Sequence, residues 1–334
     1  MTIPNVFDSD IFTLQSLTEA INLVPFAPSR IGQMGLFADD SIATTSAVIE
    51  ENNGLLAVLP FGLRGSPGTP HKTGLRTARS LTVPHIGYDD RILAESIQGV
   101  RAFGTENQAE TVANVVNNRL TAMRQNHEVT HEYHRANALQ GYVRDSDGAI
   151  MYNLFTEFGV TKADDVDFIF GTDTTDIRAL CIGIKRTIEA ALGGAATYDH
   201  IHCLCGSTFF DALISHPTVE TAYERFENGA MLRNDPRAGF DFAGIIFENY
   251  VGTVSGKTFI PATDARFVPV GSPGLFKTIL APADYVETVN TLGLPVYAKQ
   301  EPIRFNKGVD IETQSNPLSI CTRPNVLVRG YSST

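Results

Sequence analysis

Apolar and polar positions alternate along the 334-residue chain with two different periods, and the boundaries between them outline its elements. Near the start, Ile11, Leu14, Leu17 and Ile21 recur at helical spacing, which predicts a short helix over 10–22. Pro4, Pro25 and Pro28 break anything longer in residues 1–43, so this region reads as an arm lying on something else. Two β-type runs, 46–49 and 55–58, flank Asn52-Asn53-Gly54 and predict a hairpin. The stretch 60–84 carries glycine and proline with Arg64, Lys72, Arg76 and Arg79, and closes on the β-type run Leu81-Thr82-Val83. It is too poor in apolar residues to build a core, and a loop this long is unusual inside a compact domain.

The strongest helical signal is 105–139, which has no glycine or proline; Thr105 is placed to cap it and Gly141 to stop it. Ala109, Val112/Ala113, Val116, Leu120 and Met123 form one apolar stripe along it. At 1.5 Å per residue the helix is roughly 50 Å long, so it should act as a spine. A hairpin around Asp145-Ser146-Asp147-Gly148 follows, then a helix over 174–192 capped by Thr174 or Thr175. Next come a strand at 201–205, helices at 207–215 and 219–232, and strand-like runs at 243–251, 258–260, 265–270, 296–298, 318–321 and 326–329. The fold class read from this order is α+β.

Composition narrows the function classes. Hydrophobic residues make up 43% and charged residues 19%, a globular profile. No apolar run approaches the ~20 residues of a membrane span, and the first residues show no basic-then-apolar leader pattern. Cys181, Cys203, Cys205 and Cys321 are too few for a disulfide scaffold and read as reduced thiols. The net charge of −11 argues against general affinity for nucleic-acid backbones. That charge is unevenly spread: residues 61–91 hold five cations against two anions (+3), and residues 1–60 hold one cation against seven anions (−6). A basic loop and an acidic arm are natural partners, within or between subunits. Nineteen of the 26 cations are arginine, the cation enriched at interfaces.

Three motifs could carry chemistry. His127-Glu128-Val129-Thr130-His131 matches the H-E-x-x-H zinc-hydrolase pattern on a helix, where the two histidines share a face and the glutamate could act as base. The extended form of that motif wants Gly and His where this chain has His134 and Asn137. The alternative is that these residues form the polar end of the packing stripe, at a subunit or domain contact. His200-Ile201-His202-Cys203-Leu204-Cys205 crowds soft ligands, but C-x-C lacks the C-x₂₋₄-C spacing of tetrahedral sites, and buried cysteines account for it better. The stretch Gly252–Thr258 resembles a phosphate loop with Val251 in place of its first glycine; flanked by strands, it reads as a hairpin turn.

Longer runs of residues are more specific than any of these. Asp10-Ile11-Phe12, Ser16-Leu17-Thr18-Glu19-Ala20-Ile21-Asn22 and Arg30-Ile31-Gly32-Gln33-Met34-Gly35-Leu36-Phe37 resemble the opening of lambda-type major capsid proteins, the phage capsid protein E family. The similarity continues through Val48-Ile49-Glu50, Arg64-Gly65-Ser66-Pro67-Gly68, Val83-Pro84-His85-Ile86 and Ile97-Gln98-Gly99-Val100-Arg101-Ala102-Phe103-Gly104. It extends to Tyr152-Asn153-Leu154-Phe155, Cys205-Gly206-Ser207 and the closing Thr322-Arg323-Pro324, in order across essentially the whole chain.

The resemblance implies the Hong Kong 97 phage capsid fold. Residues 1–43 would be an N-terminal arm, 44–85 an E-loop, 86–190 with 306–334 a P-domain holding the spine helix, and 191–305 an A-domain. It implies a structural protein and no enzyme: a major capsid protein that self-assembles through hexamers and pentamers into the icosahedral head of a tailed phage around double-stranded DNA. No cofactor and no membrane are involved. A separate scaffolding protein, a portal protein and a decoration protein are the implied partners, and the virion, assembled in the host bacterial cytoplasm, is the implied location. Arg64, Lys72, Arg76 and Arg79 would make intersubunit contacts, with Asp39, Asp40, Glu50 and Glu51 as acidic partners. Lys72 is the one lysine in the E-loop, and no motif marks an isopeptide partner, so assembly is expected to be non-covalent. Two alternatives stand beside this: a zinc-dependent hydrolase using His127, Glu128 and His131, and a domesticated phage-like shell compartment.

Overall fold

The computed structural model describes residues 14–23, 29–52, 76–97, 112–193, 197–225, 239–254 and 256–333. In chain order these form α1 (Leu14–Leu23), α2 (Arg30–Gln33), β1 (Ala38–Ser41), β2 (Ser46–Asn52), β3 (Arg76–Thr82), β4 (Ile86–Leu93), α3 (Ala94–Ile97) and α4 (Val112–Ala138). The hairpin β5 (Tyr142–Arg144) and β6 (Ile150–Asn153) leads to α5 (Leu154–Phe158), β7 (Val166–Asp167), α6 (Ile177–Leu192), β8 (His200–Cys205), α7 (Ser207–Ile214) and α8 (Pro217–Arg225). The remainder is β9 (Phe240–Phe242), β10 (Ile245–Asn249), β11 (Thr253–Val254), β12 (Lys257–Thr258), β13 (Asp264–Val270), β14 (Phe276–Leu280), β15 (Tyr297–Pro302), β16 (Gly308–Ser315), β17 (Pro317–Cys321) and β18 (Val328–Tyr331).

Three sheets organise these elements. A six-stranded mixed sheet runs β7-β18-β13-β8-β10-β9; β8 and β10 are parallel, with α7 and α8 between them in sequence, and β13 is antiparallel to β8. An antiparallel sheet runs β15-β16-β4, and a third runs β1-β14-β17. The two main hydrophobic clusters follow from this arrangement. The larger gathers α6, the six-stranded sheet and Phe209, Phe210, Phe247 and Phe267. The smaller joins Leu17 and Ile21 of α1, Val116, Leu120 and Met123 of α4, and Ile92, Val309 and Ile311 of the antiparallel sheet.

Local chemistry explains most boundaries. In α6, Ile177, Cys181, Ile184, Ile188 and Leu192 form one buried stripe. The helix opens where the Asp176 carboxylate accepts the Ala179 N–H at 2.9 Å, and closes at Gly193 in the left-handed conformation. The cap is therefore Asp176 rather than Thr174 or Thr175; the Thr175 hydroxyl donates to the Ile169 carbonyl instead. The spine helix α4 spans 27 residues, about 40 Å, and the expected start at Thr105 lies outside the described residues. It stops at Gly141 as expected: φ is +84° there, and a Cβ would run into the Phe155 ring.

Other expectations need correcting. Strand β2 pairs with β3, Ser46 opposite Thr82 through Asn52 opposite Arg76, rather than with the run 55–58, which lies outside the described residues. Pairing β2 with β3 sets buried Ala47 against buried Leu81, a cross-strand contact that gives the pairing its apolar face. The last strand begins at Val328, because Pro324–Val326 forms a 3-10 turn. Strands β1, β4, β7, β9, β14 and β16 were not anticipated.

Candidate functional site

The polar half of α4 carries the sharpest chemical motif, and its surroundings define what that motif does. Arg124, His127, Glu128, His131, Glu132, His134 and Arg135 are all buried. His127 and His131 meet β16, whose alternation turns Val309, Ile311, Thr313 and Ser315 inward. The His127 Nε2 lies 2.9 Å from the Thr313 hydroxyl, and the His131 Nε2 lies 2.7 Å from the Ser315 hydroxyl. Each hydroxyl has one proton, and each spends it on a backbone carbonyl: Thr313 on Tyr88 at 3.1 Å and Ser315 on Pro295 at 2.6 Å. Both histidines must therefore donate their Nε2–H to the hydroxyls.

Burial dominates the protonation of this row. It pushes His127 down to about 4, with Arg124 adding to the effect, and pushes His134 down to about 4. His131 is pushed well below its ordinary value, by burial first and by Arg135 second. Burial also raises the Glu128 carboxyl, although Arg124, its ion-pair partner one turn earlier, opposes the rise. A zinc-hydrolase site needs histidine nitrogens that open onto a metal and its water, and a glutamate free to act as base. Here the Nε2 atoms are hydrogen-bond donors and Glu128 is held by Arg124, so the hydrolase reading is corrected: the H-E-x-x-H residues are packing groups at the polar end of the α4 stripe.

Glu132, on the same helix, anchors α2. Its carboxylate accepts the N–H groups of Ile31 at 2.7 Å and Gly32 at 3.2 Å, and the Tyr250 hydroxyl at 3.0 Å. Ile31 is fully buried beside it. Arg30 then forks onto Glu248, Nε to Oε1 at 2.5 Å and Nη2 to Oε2 at 2.7 Å, and His202 donates to the same Oε2 at 2.9 Å. Burial works to raise the Glu248 carboxyl, but the bonds from His202 and Arg30 outweigh it and hold it below the ordinary carboxylate range. The run Arg30-Ile31-Gly32 is thus a clamp joining α2, α4 and the six-stranded sheet.

The other motifs resolve as structure. All four cysteines are buried thiols, and the Sγ atoms of Cys203 and Cys205 lie 3.5 Å apart in the centre of the six-stranded sheet. The phosphate-loop look-alike forms the β11–β12 hairpin, with Thr253 opposite Thr258.

Of the residues expected at subunit contacts, Arg64 and Lys72 lie outside the described residues, in the 53–75 connection between β2 and β3. Arg76 sits opposite Asn52, and Glu50 and Glu51 sit opposite Ala78 and Thr77. Arg79 stacks its guanidinium 5.8 Å above the Phe158 ring of its own chain. Asp39 lies 3.8 Å from Arg135 and Asp40 3.8 Å from Lys277, also within the chain. Sequence reasoning missed Glu132, Glu248 and Tyr250; the signal for Glu132 was present, because it extends the same helix face one turn beyond Glu128.

The clamp, the long helix α4 and the three sheets can be set beside known proteins. The sequence profile of phage major capsid protein E matches residues 13–332. The chain belongs to that family. The major capsid protein of Pseudomonas phage KPP10 is 32% identical over 348 aligned residues, which cover 96% of this chain and 97% of that one. Among solved structures, the capsid of the cyanophage P-SCSP1u superposes with a TM-score of 0.53 at 10% identity, covering 90% of this chain and 87% of that one. The mature capsid of bacteriophage PhiM1 gives 0.51 at 13% identity, covering 89% and 85%. The fold is the α+β Hong Kong 97 type, and the protein is a structural major capsid protein of a tailed phage, copies of which assemble into a shell. The family and its relatives give no support to a hydrolase or to a domesticated compartment.

Proposed function

We propose that the subunit closes its shell through non-covalent contacts of the β2–β3 hairpin and its 53–75 connection with neighbouring copies. The observation that carries this reading is the charge distribution: Arg64, Lys72, Arg76 and Arg79 fall between residues 61 and 85 with no acidic residue among them. Glu50 and Glu51 are the favoured acidic partners, since Asp39 and Asp40 already have cations nearby in their own chain. Many such weak contacts, repeated over hexamers and pentamers, hold a particle that no single contact would hold.

The division into an arm at 1–43, an E-loop at 44–85, a P-domain at 86–190 with 306–334 and an A-domain at 191–305 belongs to the same proposal. Scaffolding, portal and decoration proteins are the further partners in this reading. Assembly takes place in the host bacterial cytoplasm, and packaged double-stranded DNA meets an acidic wall that does not grip it.

The test is charge reversal. Arg64→Glu with Arg76→Glu is expected to reduce shell yield at least tenfold while the isolated subunit keeps its thermal unfolding midpoint. Unchanged shell yield would remove the loop from the assembly contacts. Wild-type shells boiled in denaturant should run as a single 36.3 kDa chain, whereas a ladder of covalent multimers would contradict non-covalent closure.

A further inference from the structure

The segment 286–294, which leads from β14 into β15, turns one polar side chain inward and its aliphatic side chains outward. Thr288 is 5% exposed and donates to the Ala283 carbonyl at 2.6 Å, while the exposed Thr291 donates its hydroxyl proton to the Thr288 carbonyl at 2.8 Å. Its aliphatic side chains turn outward: Val286 is 88% exposed, Val289 64%, Leu292 64% and Leu294 43%. The loop is held in this inversion from several sides. The Tyr297 hydroxyl donates to the Leu292 carbonyl at 3.3 Å and accepts the Leu294 N–H at 2.9 Å. The Gly293 N–H reaches the Ile42 carbonyl at 3.0 Å, and a Cβ on Gly293 would run into the Leu280 backbone. Asn290 takes a left-handed φ of +61° to complete the turn. The charge nearest the patch, Glu287, is already paired with Lys299 at 2.8 Å.

An exposed aliphatic cluster that its own scaffold holds outward marks an interaction surface. We infer that this loop is a contact between copies of the chain in the assembled shell, its valines and leucines seated on a neighbouring subunit. The inference rests on the shell-forming reading above. Size decides the occupant: nine residues are far fewer than the roughly 20–30 per side of a stable one-to-one complex. So small a patch would hold a separate protein poorly, but it contributes strongly when every subunit of a shell repeats it. The absence of charge over 288–296 likewise suits apolar seating on a second copy rather than electrostatic capture of a basic or acidic partner.

The experiment uses thiol labelling of the full chain. With all four native cysteines buried, a maleimide reads the single thiol of Leu292→Cys, or of Val289→Cys if the first variant does not assemble. Labelling is expected to be fast in unassembled subunits and at least tenfold slower in shells purified free of other proteins. Leu292→Asp should correspondingly lower shell yield while leaving subunit unfolding unchanged. Equal labelling rates in subunit and shell would overturn the inference, as would a thiol already protected in the lone subunit, because its own chain would then cover the patch. A wild-type chain that forms no shells under any condition would instead overturn the capsid reading beneath it.

Discussion

The two halves of α4 pack against the same sheet and are held in opposite ways. In the first half, Val116, Leu120 and Met123 pack on Leu17, Ile21, Val309 and Ile311, and the contact is aliphatic throughout. In the second half, His127 and His131 meet Thr313 and Ser315 of the same strand through hydrogen bonds. The change from apolar to polar occurs at the same level on helix and strand: Ile311 faces the end of one chemistry and Thr313 the start of the other. An aliphatic seam tolerates sliding, because burial is not directional. A seam of donor–acceptor pairs does not, since a shift would strand buried polar atoms. The first half supplies adhesion, and the second fixes the register of spine helix on sheet.

The largest expected difference between the halves is their response to acid. The histidines are neutral when folded, with pKa values pushed down to about 4 for His127 and His134, and they take up protons near 6.5 when unfolded. The unfolded state therefore binds more protons between about pH 6.5 and 4, and stability falls as pH drops through that window. Unassembled subunits should lose several kcal/mol there in urea titrations, and His127→Gln should flatten the slope. An unchanged slope would mean that the seam does not control it.

In the aliphatic half, Leu120→Ala should cost about 3 kcal/mol, by about the same amount at pH 7.5 and pH 5.5, because no titrating group is touched. Glu132→Ala should cost about 2 kcal/mol by leaving the Ile31 and Gly32 amides without their acceptor, and should raise protease sensitivity near Arg30. Thr313→Val should cost the least, about 1.5 kcal/mol, since it removes the hydroxyl's bonds with His127 and with the Tyr88 carbonyl and leaves the His127 Nε2–H unanswered. Adding His127→Leu to Thr313→Val should recover part of that loss. A fully additive double mutant would deny the pairing.

The same contrast marks what could be read from the chain. The aliphatic half was legible because Val116, Leu120 and Met123 repeat at helical spacing, and α6 and β8 were legible for the same reason of period. The polar half was legible only as a motif, and the motif pointed to zinc; its meaning depends on Thr313 and Ser315, some 185 residues later, which no local pattern connects to His127. Strand β16 does alternate, but its inward face changes from valine and isoleucine to threonine and serine, so a search for apolar period two stops half-way. Strand β4 carries Asp89, Asp90 and Arg91 in its middle and reads as a loop, because it is an edge strand with little to bury. The β2–β3 hairpin was misread because the Asn-Asn-Gly signal is local, whereas the pairing spans a 23-residue connection. The family resemblance recovered the fold class where periodicity failed.

Electron microscopy of the purified full-length chain, alone and with a scaffold-type partner, tests the central claim most directly. The account predicts closed shells built of six-fold and five-fold clusters of one 36.3 kDa polypeptide. A chain that remains a monomer under every such condition, with residues 53–75 packed onto its own surface, would contradict it.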